Sequence, residues 1–369
     1  MEEKIVDTAK QKPTRKKGLK KAAVITAVAL LLCAAIVVGI AGGYITDILS
    51  QLHRDEEFGK LENEALGIVE EKIEEDVFNI ALFGVDAREQ GDFSGNSDSI
   101  MILSVQQKEN KIKIVSIMRD SLVPIEAEDG TIYKKINTAY HNGGCELAVK
   151  TLNQVFGLDI KDYATVNFYG MGDIIEAVDG ITANITQAEI NDNVYGINAL
   201  VREQCEHLGI SPDPYIITEP GSQHLNGVQA VAYARIRYVR TADGIGNDFG
   251  RVERQRYVMQ QLLTKALSLD TKSYPKLIKS LFPHVKTSLS TGELLGLAKC
   301  LSSKPELFQT RVPSDEYIIN SDYRGTGAST VYYNYEYAAK IVHAFLYENI
   351  SPEYYMSEYG IDKTPWYGV

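Results

Sequence analysis

The chain has 369 residues, of which 44% are hydrophobic, and it carries a formal net charge of −11 at pH 7. A chain of this length and composition can bury a sizeable core, which excludes disorder throughout and allows one large domain or two small ones. The excess of acidic residues argues against a nucleic-acid-binding protein that uses a basic face.

The N-terminal 45 residues are typical of a membrane anchor. Residues 1–21 hold eight Lys or Arg against three acidic residues, and the segment that follows, AAVITAVALLLCAAIVVGIAGGY, has no charge. This run matches the roughly 20 apolar residues needed to cross a bilayer and exceeds the roughly 7 to 15 of a signal-peptide apolar region. Because basic flanks stay in the cytoplasm, we predict a cytoplasmic tail at 1–21, a membrane helix at 22–45 and an extracytoplasmic remainder. A cleaved signal and a lipidated Cys33 are the alternatives.

Residues 46–76 are charged and favour helix, which predicts a stalk between the membrane and a domain. From Val77 the pattern changes to short runs rich in Ile and Val, which predict strands at VFNIALFGVD, SIMILSV and KIKIVSI. Helical stretches such as CELAVKTLNQVFG and MGDIIEAVDG follow. Interleaved strands and helices indicate a layered α/β domain.

The C-terminal half continues with predicted helices. HLNGVQAVAYAR has Asn226 as a plausible N-cap, and GRVERQRYVMQQLLTKALS predicts a long helix from about Gly250. TGELLGLAKCLSS and YNYEYAAKIVHAFLYENI predict two more. We place the folded domain at 77–350 and a loosely packed tail at 351–369.

Charged residues flank three of the predicted strands. Asp86 and Arg88 follow the first, Asp98 precedes the second, and Arg119 follows the third. The crevice beyond the carboxyl ends of strands is the usual ligand site of an open α/β sheet, and Asp98 reaches it only if its loop folds over. Two carboxylates without His or Cys suit a hard cation such as Mg²⁺, whose remaining ligands would be water and phosphate oxygens. The alternative is that each Asp is a turn or capping residue.

Six arginines lie in residues 234–256, ARIRYVRTADGIGNDFGRVERQR. Arg235 and Arg237 share one side if their segment is extended, and Arg251 shares one face with Arg254 or with Gln255 if a helix begins near Asp248. Guanidinium groups bind phosphate oxygens in a bidentate manner, so several of them together match a pyrophosphate. The alternative, ordinary surface or ion-pair residues, applies best to Arg240, Arg254 and Arg256.

Three cysteines lie outside the membrane segment, at Cys145, Cys205 and Cys300. Their odd number and the absence of C-x-x-C spacing disfavour zinc. One disulfide could form outside the cytoplasm, and the sequence does not assign its partners.

Seven blocks stand in order between residues 77 and 270: NIALFGVDAR, SDSIMILSV, IVSIMRDS, KKINTAY, VNFYGMGDIIEAVDGI, HLNGVQAVAYARIR and DFGRVERQR. Together they resemble the LytR-CpsA-Psr family of bacterial envelope proteins. The resemblance implies an α/β domain with a mixed central β-sheet flanked by helices, one N-terminal membrane helix and extracytoplasmic catalysis. It also implies transfer of a glycosyl phosphate, as in wall teichoic acid or capsular polysaccharide, from a polyprenyl-pyrophosphate carrier to a peptidoglycan hydroxyl, usually C6 of N-acetylmuramic acid.

The resemblance further implies roles for individual residues. Asp86 and Asp98 match the family's ligands of Mg²⁺ or Mn²⁺ and, with Arg119, its catalytic residues. Asn96 stands where many members have Arg, and Arg240 could replace that charge. The residues that match the family's pyrophosphate contacts are Arg119, Arg235, Arg237, Arg251 and Gln255, with Arg88 and Lys135 as secondary contacts.

Three other functions compete with phosphotransfer. The chain could hydrolyse the same pyrophosphate lipid, act as a non-enzymatic envelope sensor or transcriptional attenuator, or serve as a membrane-anchored scaffold. A tail of 21 residues is too short to form a DNA-binding domain, which counts against direct regulation. The sequence leaves the transferred polymer, the oligomeric state and the general base open, and the two histidines of the blocks, His141 and His224, resemble loop residues more than catalysts.

Overall fold

The structure is a computed structural model that describes residues 52–69, 77–85, 87, 91–127, 130–167, 170–240 and, with gaps, 250–320 and 330–365. Its strands are β1 (His53–Arg54), β2 (Val77–Val85), β3 (Ser97–Gln106), β4 (Lys111–Ile117), β5 (Leu122–Ala127), β6 (Gly130–Lys135), β7 (Asp162–Asn167), β8 (Ile181–Ile185), β9 (Gly221–Leu225), β10 (Val285–Thr287), β11 (Glu306–Val312), β12 (Ile318–Asn320) and β13 (Tyr332–Tyr333). Its helices are α1 (Asn137–Phe156), α2 (Met171–Ala177), α3 (Gln187–Asn191), α4 (Ile197–Leu208), α5 (Gly227–Arg235), α6 (Tyr274–Leu281), α7 (Thr291–Ser302), α8 (Tyr335–Tyr347) and α9 (Pro352–Tyr359). The described residues between 250 and 265 are helical as well.

Seven strands form the central sheet in the order β1-β10-β7-β2-β3-β4-β11. Strands β2, β3 and β4 are antiparallel neighbours, whereas β7 runs parallel to β2 and β11 runs parallel to β4. Strand β10 is antiparallel to β7, and β1 is parallel to β10. The expected mixed central sheet flanked by helices is therefore confirmed.

Alternate residues of the central strands enter two separate cores, one on each face of the sheet. Ile80 and Leu82 pack on one face with α2, α4, α5 and α6, whereas Ala81 and Phe83 pack on the other with α1 and α8. Successive side chains of a strand point to opposite faces, so a strand covered on both sides is apolar at nearly every position. The run VFNIALFGV has this composition for that reason.

The predicted start of α5 is confirmed in atomic detail. The Asn226 side-chain carbonyl accepts the backbone N–H of Gln229 at 3.0 Å, and the Gln229 side-chain carbonyl accepts the backbone N–H of Asn226 at 3.1 Å. This reciprocal capping box satisfies two N–H groups that a helix start leaves without partners. It fixes where α5 begins and hence where Arg235, its last residue, lies.

Part of the segment predicted as a stalk packs against the domain. Strand β1 pairs with β10, and the side chains of Phe58 and Leu66 are buried. The Asp55 carboxylate accepts a hydrogen bond from the Tyr163 hydroxyl at 2.6 Å and lies 2.9 Å from Lys286 Nζ. Residues 52–69 are therefore not a free-standing stalk, because apolar side chains among the charges anchor them to the folded domain.

The residues after 350 also pack on the domain. Helix α9 lies against α8, the Tyr337 hydroxyl donates to the Gly360 carbonyl at 2.6 Å, and Asn334 Nδ2 donates to Asp362 at 3.1 Å. The chain up to Asp362 is thus held by specific contacts, where the sequence predicts a loosely packed tail.

The cysteines that the structure describes are free thiols. Cys145 is buried in the core on the α1 face, and Cys205 is buried in the core on the α4 face. The central sheet separates these two thiols, so they form no disulfide with each other.

Among the described residues, no helix combines the length and the apolar character needed to cross a membrane. The predicted membrane helix, residues 22–45, lies outside them.

Asp162 gives a testable dependence of stability on pH. Its side chain is buried and accepts a hydrogen bond from Ser288 Oγ at 2.8 Å. Burial raises the pKa of Asp162 to about 6, and the nearby Glu293 adds to the rise. Because the native state then holds this proton more tightly than the unfolded chain does, Asp162 lowers the free energy of unfolding progressively from about pH 4 to about pH 6.

We expect Asp162→Asn to increase the free energy of unfolding by at most about 3 kcal/mol at pH 7.5 and to change it little at pH 4. Urea unfolding of the detergent-solubilised chain at both pH values measures this difference. Asp213→Asn, at an exposed position, is the matched control. Equal effects of Asp162→Asn at the two pH values would contradict the prediction.

Candidate functional site

One edge of the central sheet collects the predicted site residues, and we call this edge the rim. The carboxyl ends of β2 and β4 lie there, and so does the amino end of β3, because the register pairs Val85 with Ser97 and Ile100 with Ile117. Asp98, the second residue of β3, therefore reaches the rim through the antiparallel pairing itself. The folded-over loop predicted from the sequence is not needed.

Four charged side chains form a continuous network at the rim, which we call the rim network: Asp98, Arg119, Asp120 and Lys135. Arg119 Nη1 donates to Asp98 Oδ1 at 2.7 Å, and Arg119 Nε lies 3.7 Å from Asp120 Oδ2. Lys135 Nζ lies 2.8 Å from Asp120 Oδ1. The side chains are 21% to 30% exposed, so an anionic ligand can reach the Arg and the Lys, and a cation can reach Asp98.

Local structure explains how Lys135 joins this network. Strands β5 and β6 form an antiparallel pair in which Leu122 is opposite Lys135, so the chain returns to the residues after β4. The Asn137 backbone N–H then donates to the Arg119 carbonyl at 3.2 Å, which ties the start of α1 to the same place. Arg119 is thus held at its side chain by Asp98 and at its carbonyl by α1.

The donor set at the rim consists of oxygen atoms, which suits Mg²⁺ or Mn²⁺ rather than zinc. Two buried polar side chains lie next to this network. Ser97 precedes Asp98 in the chain, and Asn137 is hydrogen-bonded to Arg119 through its backbone. Within the described part, neither Ser97 Oγ nor Asn137 Oδ1 has a hydrogen-bond partner. The described residues contain no group of three or more His, Cys, Asp or Glu side chains arranged to hold a metal. Asp86, the second predicted ligand, lies outside them.

The turn after α5 carries the next two candidate residues. Arg235 Nη2 lies 2.6 Å from Glu203 Oε1, and both side chains are well exposed. The Arg237 guanidinium lies over the ring of Tyr238, 5.3 Å from its centroid. Because Arg235 ends a helix and Arg237 follows in a turn, they do not lie on one extended strand as their spacing suggested.

The Arg235–Glu203 ion pair does not prevent a ligand from binding. Exposed pairs of this kind contribute roughly 0 to 1 kcal/mol, since water solvates both charges well. A pyrophosphate offers several charged oxygens to the same guanidinium, so it can replace the carboxylate at little cost. Glu203 can hold Arg235 in place until such a ligand arrives.

Arg254 is a buried structural residue with 1% of its side chain exposed. Its Nε and Nη2 donate to Glu189 Oε1 at 2.9 and 2.7 Å, and further N–H groups donate to the carbonyls of Ile236 and Val239 at 3.2 and 2.8 Å. The other oxygen of Glu189 accepts from the backbone N–H and the hydroxyl of Thr186 at 2.7 and 2.9 Å. The ion-pair alternative for Arg254 is therefore correct, and its surface alternative is wrong.

This buried pair positions the turn that bears Arg237. The carbonyls of Ile236 and Val239 flank Arg237 and Tyr238 in the chain, and both are fixed by one guanidinium. The side chains of Ile236 and Val239 are themselves buried in the core. Arg237 and Tyr238 are consequently presented outward from a backbone that is held on the inside.

The predicted site residues thus fall into three groups. Asp98, Arg119 and Lys135 share the rim network, whereas Arg235 ends α5 and Arg237 lies in the turn that follows. Arg251 is half-buried within the following helical residues. Asp86, Arg88 and Gln255 lie outside the described residues.

Two acidic partners were missed from the sequence: Glu189 and Glu203. The spacing T-x-x-E of Thr186 and Glu189 indicates a capped helix start but not a buried ion pair. The two histidines expected in loops lie in regular elements, His141 in α1 and His224 in β9, and both are exposed.

An α/β domain with a partly exposed network of acidic and basic side chains and with exposed arginines at the end of α5 offers a candidate site for an anion. Comparison with known proteins gives the family. The model of the LytR_cpsA_psr family matches residues 46–344, so the chain belongs to this family. The resemblance found in the sequence is therefore confirmed.

Individual relatives agree with this assignment. The chain is 30% identical over 284 residues to the polyisoprenyl-teichoic acid–peptidoglycan teichoic acid transferase TagU of Enterococcus faecalis, which covers 76% of this chain and 83% of that protein. It is 31% identical over 243 residues to biofilm regulatory protein A of Streptococcus mutans, covering 62% of this chain and 55% of that protein, so it spans a little over half of that relative. The crystal structure of TagV from Bacillus subtilis superposes with a TM-score of 0.50 at 25% identity, covering 74% of this chain and 98% of that one.

The buried pair predicts a large and non-additive loss of stability. Glu189→Gln leaves a buried guanidinium without its countercharge, and Arg254→Met leaves a buried carboxylate, so we expect each change to reduce the free energy of unfolding by about 3 to 5 kcal/mol. The double variant should lose clearly less than the sum of the two. Urea unfolding of the four proteins in a double-mutant cycle measures this coupling.

Lys60→Met is the control, because Lys60 pairs with Glu57 at an exposed position and its loss should change the free energy of unfolding very little. Additive single effects of that same small size at Glu189 and Arg254 would show that the pair does not hold the turn.

Proposed function

We propose that the chain is a phosphotransferase that moves a glycosyl phosphate from a polyprenyl-pyrophosphate carrier to a peptidoglycan hydroxyl, with C6 of N-acetylmuramic acid as the acceptor. The cargo would be a wall teichoic acid, a capsular polysaccharide or a related anionic polymer. The observation that carries the proposal is the rim network, in which Arg119 and Lys135 are accessible beside Asp98 in a member of this family. The relative from Enterococcus faecalis is named for such a transfer.

The reaction requires little covalent chemistry from the protein. The acceptor oxygen attacks the phosphorus that bears the glycan, the bond from that phosphorus to the bridging oxygen breaks, and polyprenyl phosphate leaves with the bonding electrons. The acceptor proton passes to a rim carboxylate, Asp98 or Asp86, or to a phosphate oxygen of the substrate. Catalysis then depends on positioning and on neutralising the charge that develops on the leaving phosphate.

Cationic side chains on both sides of the site would supply that neutralisation. Arg119 and Lys135 would approach from the rim, and Arg235 and Arg237 from the turn after α5. Arg251, from the helical residues that follow, completes the proposed pyrophosphate contacts together with Gln255 and Arg88. Arg119 is already oriented by Asp98, so it needs little reorganisation when the substrate binds.

We propose that Asp86 and Asp98 hold Mg²⁺ or Mn²⁺. Such an ion would act as a Lewis acid on the phosphate oxygens. The oxygen-only donor set and the accessibility of Asp98 support this assignment. Asp98 would also keep Arg119 in place, so its loss should impair both metal and pyrophosphate binding.

Localisation is part of the proposal. Residues 22–45 would hold the chain in the cell membrane with residues 1–21 in the cytoplasm, and the domain would face the envelope where peptidoglycan and lipid carrier are both present. We expect the full chain to remain in the membrane fraction after an alkaline carbonate wash and a chain starting at residue 46 to be released. Release of the full chain by the same wash would contradict the membrane helix.

The transfer reaction is tested with a synthetic polyprenyl-pyrophosphate oligosaccharide, with and without peptidoglycan acceptor, in Mg²⁺ or EDTA. We expect polyprenyl phosphate release that requires both acceptor and Mg²⁺. Asp98→Ala and Arg235→Ala should each lower turnover by about 10²- to 10³-fold, because each removes one preorganised charge. Asp213→Ala and Arg202→Ala, at exposed positions elsewhere, should keep wild-type turnover.

Each alternative predicts a different result in this assay. Release without acceptor would indicate a pyrophosphate hydrolase, and binding without release under every condition would indicate a sensor. A chain that binds no lipid and does not depend on Asp98 or on a divalent metal would be a scaffold. Glu203→Gln separates two roles of Arg235, since it should preserve turnover if Arg235 acts on the substrate and reproduce the loss if only the ion pair matters.

A further inference from the structure

Two exposed tyrosines stand directly beside the arginine-bearing turn. Tyr195 and Tyr238 are 46% and 52% exposed, and their ring centroids lie 4.7 Å apart in an edge-to-face arrangement. The Arg237 guanidinium lies over the Tyr238 ring, 5.3 Å from its centroid. Arginine and the two aromatic rings therefore form one continuous surface, which we call the tyrosine platform.

The fold holds both halves of this platform in place. The Asp192 side chain accepts the backbone N–H groups of Val194 and Tyr195 at 2.9 and 2.7 Å, and these bonds lower the pKa of Asp192. Gly196 closes the same turn where any β-carbon would come within 2.4 Å of two backbone carbonyls. Tyr195 is consequently presented on a rigid turn between α3 and α4.

The second half depends on the buried ion pair already described. Glu189 belongs to α3, which leads into the Tyr195 turn, and its partner Arg254 fixes the carbonyls on either side of Tyr238. The two tyrosines are 43 positions apart in the chain, yet the buried Glu189–Arg254 ion pair connects the two segments that carry them. A preformed aromatic surface loses little conformational entropy when it binds a ligand.

The chemistry of the platform fits sugar rings. Tyrosine combines an apolar ring face with a polar hydroxyl, and a pyranose ring likewise presents C–H groups on a face and hydroxyl groups at its edge. A protein partner is a poor fit, since stable interfaces use roughly 20 to 30 residues on each side and the exposed apolar surface here is formed by Tyr195, Tyr238 and the adjacent Val194. The exposed Arg237 and Arg240 on the same turn favour an anionic glycan.

We propose that the tyrosine platform binds the first sugar rings of the lipid-linked donor glycan and thereby contributes to the choice of polymer. The inference rests on the proposed function, because it takes Arg237 as a contact of the pyrophosphate. The sugar attached to that pyrophosphate must then lie near the guanidinium, next to the Tyr238 and Tyr195 rings that the guanidinium adjoins. The acceptor glycan has no covalent link to the pyrophosphate, so the donor is the occupant.

The test compares two ligands that differ only in sugar: undecaprenyl pyrophosphate and the same lipid bearing an N-acetylhexosamine disaccharide. Calorimetry with the full chain in detergent gives both dissociation constants. We expect Tyr195→Ala to raise the dissociation constant for the disaccharide lipid by roughly 3- to 10-fold and to leave that for the bare lipid unchanged. Tyr195→Phe should stay close to wild type, since it keeps the ring.

Tyr354→Ala is the matched control, because Tyr354 is equally exposed on α9, away from the turn. Tyr238→Ala should raise the dissociation constants of both lipids, because it also removes the ring that supports Arg237. Unfolding curves establish that each variant remains folded.

The possible results separate the platform from the proposed function. If the wild-type chain binds both lipids and Tyr195→Ala binds them equally well, the platform inference fails and the proposed function stands. If Tyr195→Ala weakens both lipids alike, the tyrosine supports the arginines and contacts no sugar. If it raises only the KM for a soluble peptidoglycan fragment, the occupant is the acceptor, which overturns the donor assignment. If wild type binds neither lipid, both proposals fail.

Discussion

The buried ion pair between Glu189 and Arg254 is the constraint on which the arginine-bearing part of the site depends. Removing two charges from water is costly unless every donor and acceptor finds a partner. Here one carboxylate oxygen accepts two N–H groups of Arg254, and the other accepts two groups of Thr186. The remaining donors of the guanidinium bind the carbonyls of Ile236 and Val239, so the pair is stable only when the turn has its observed shape.

The rim depends on a different constraint, the direction of the strands. In an all-parallel sheet a residue that begins a strand lies at the opposite edge from a residue that ends one. Because β3 runs antiparallel to both neighbours, Asp98 at its start meets Arg119 after the end of β4. The reversed direction of β3 therefore creates the contact between Asp98 and Arg119 on which the proposed function relies, and the β5–β6 pair extends the network to Lys135.

These two constraints explain which features the sequence could reveal. Features that depend on local patterns could be predicted from the sequence. Apolar runs predicted the strands of the central sheet, a capping residue predicted the start of α5, and ordered motifs indicated the family. The burial of Arg254 was not readable, because its partner lies 65 positions away and an arginine in a charged segment resembles a surface residue. The packing of residues 52–69 was hidden for a similar reason, since a few apolar side chains such as Phe58 stand among many charges.

The distribution of charge at the site follows from the same reasoning. Arginines that lie close together repel one another when no anion is bound. The fold offsets this repulsion with carboxylates that differ in how far they are exposed to solvent. Glu189 is buried and paired with Arg254, so this ion pair has a structural role: it fixes the backbone of the turn. Glu203 is accessible, and the pair it makes with Arg235 is weak enough in water to be exchanged for phosphate oxygens in the proposed reaction. Asp98 is less exposed and orients Arg119. The burial of each carboxylate thus decides whether its arginine has a structural role or is available for the proposed contacts with the substrate.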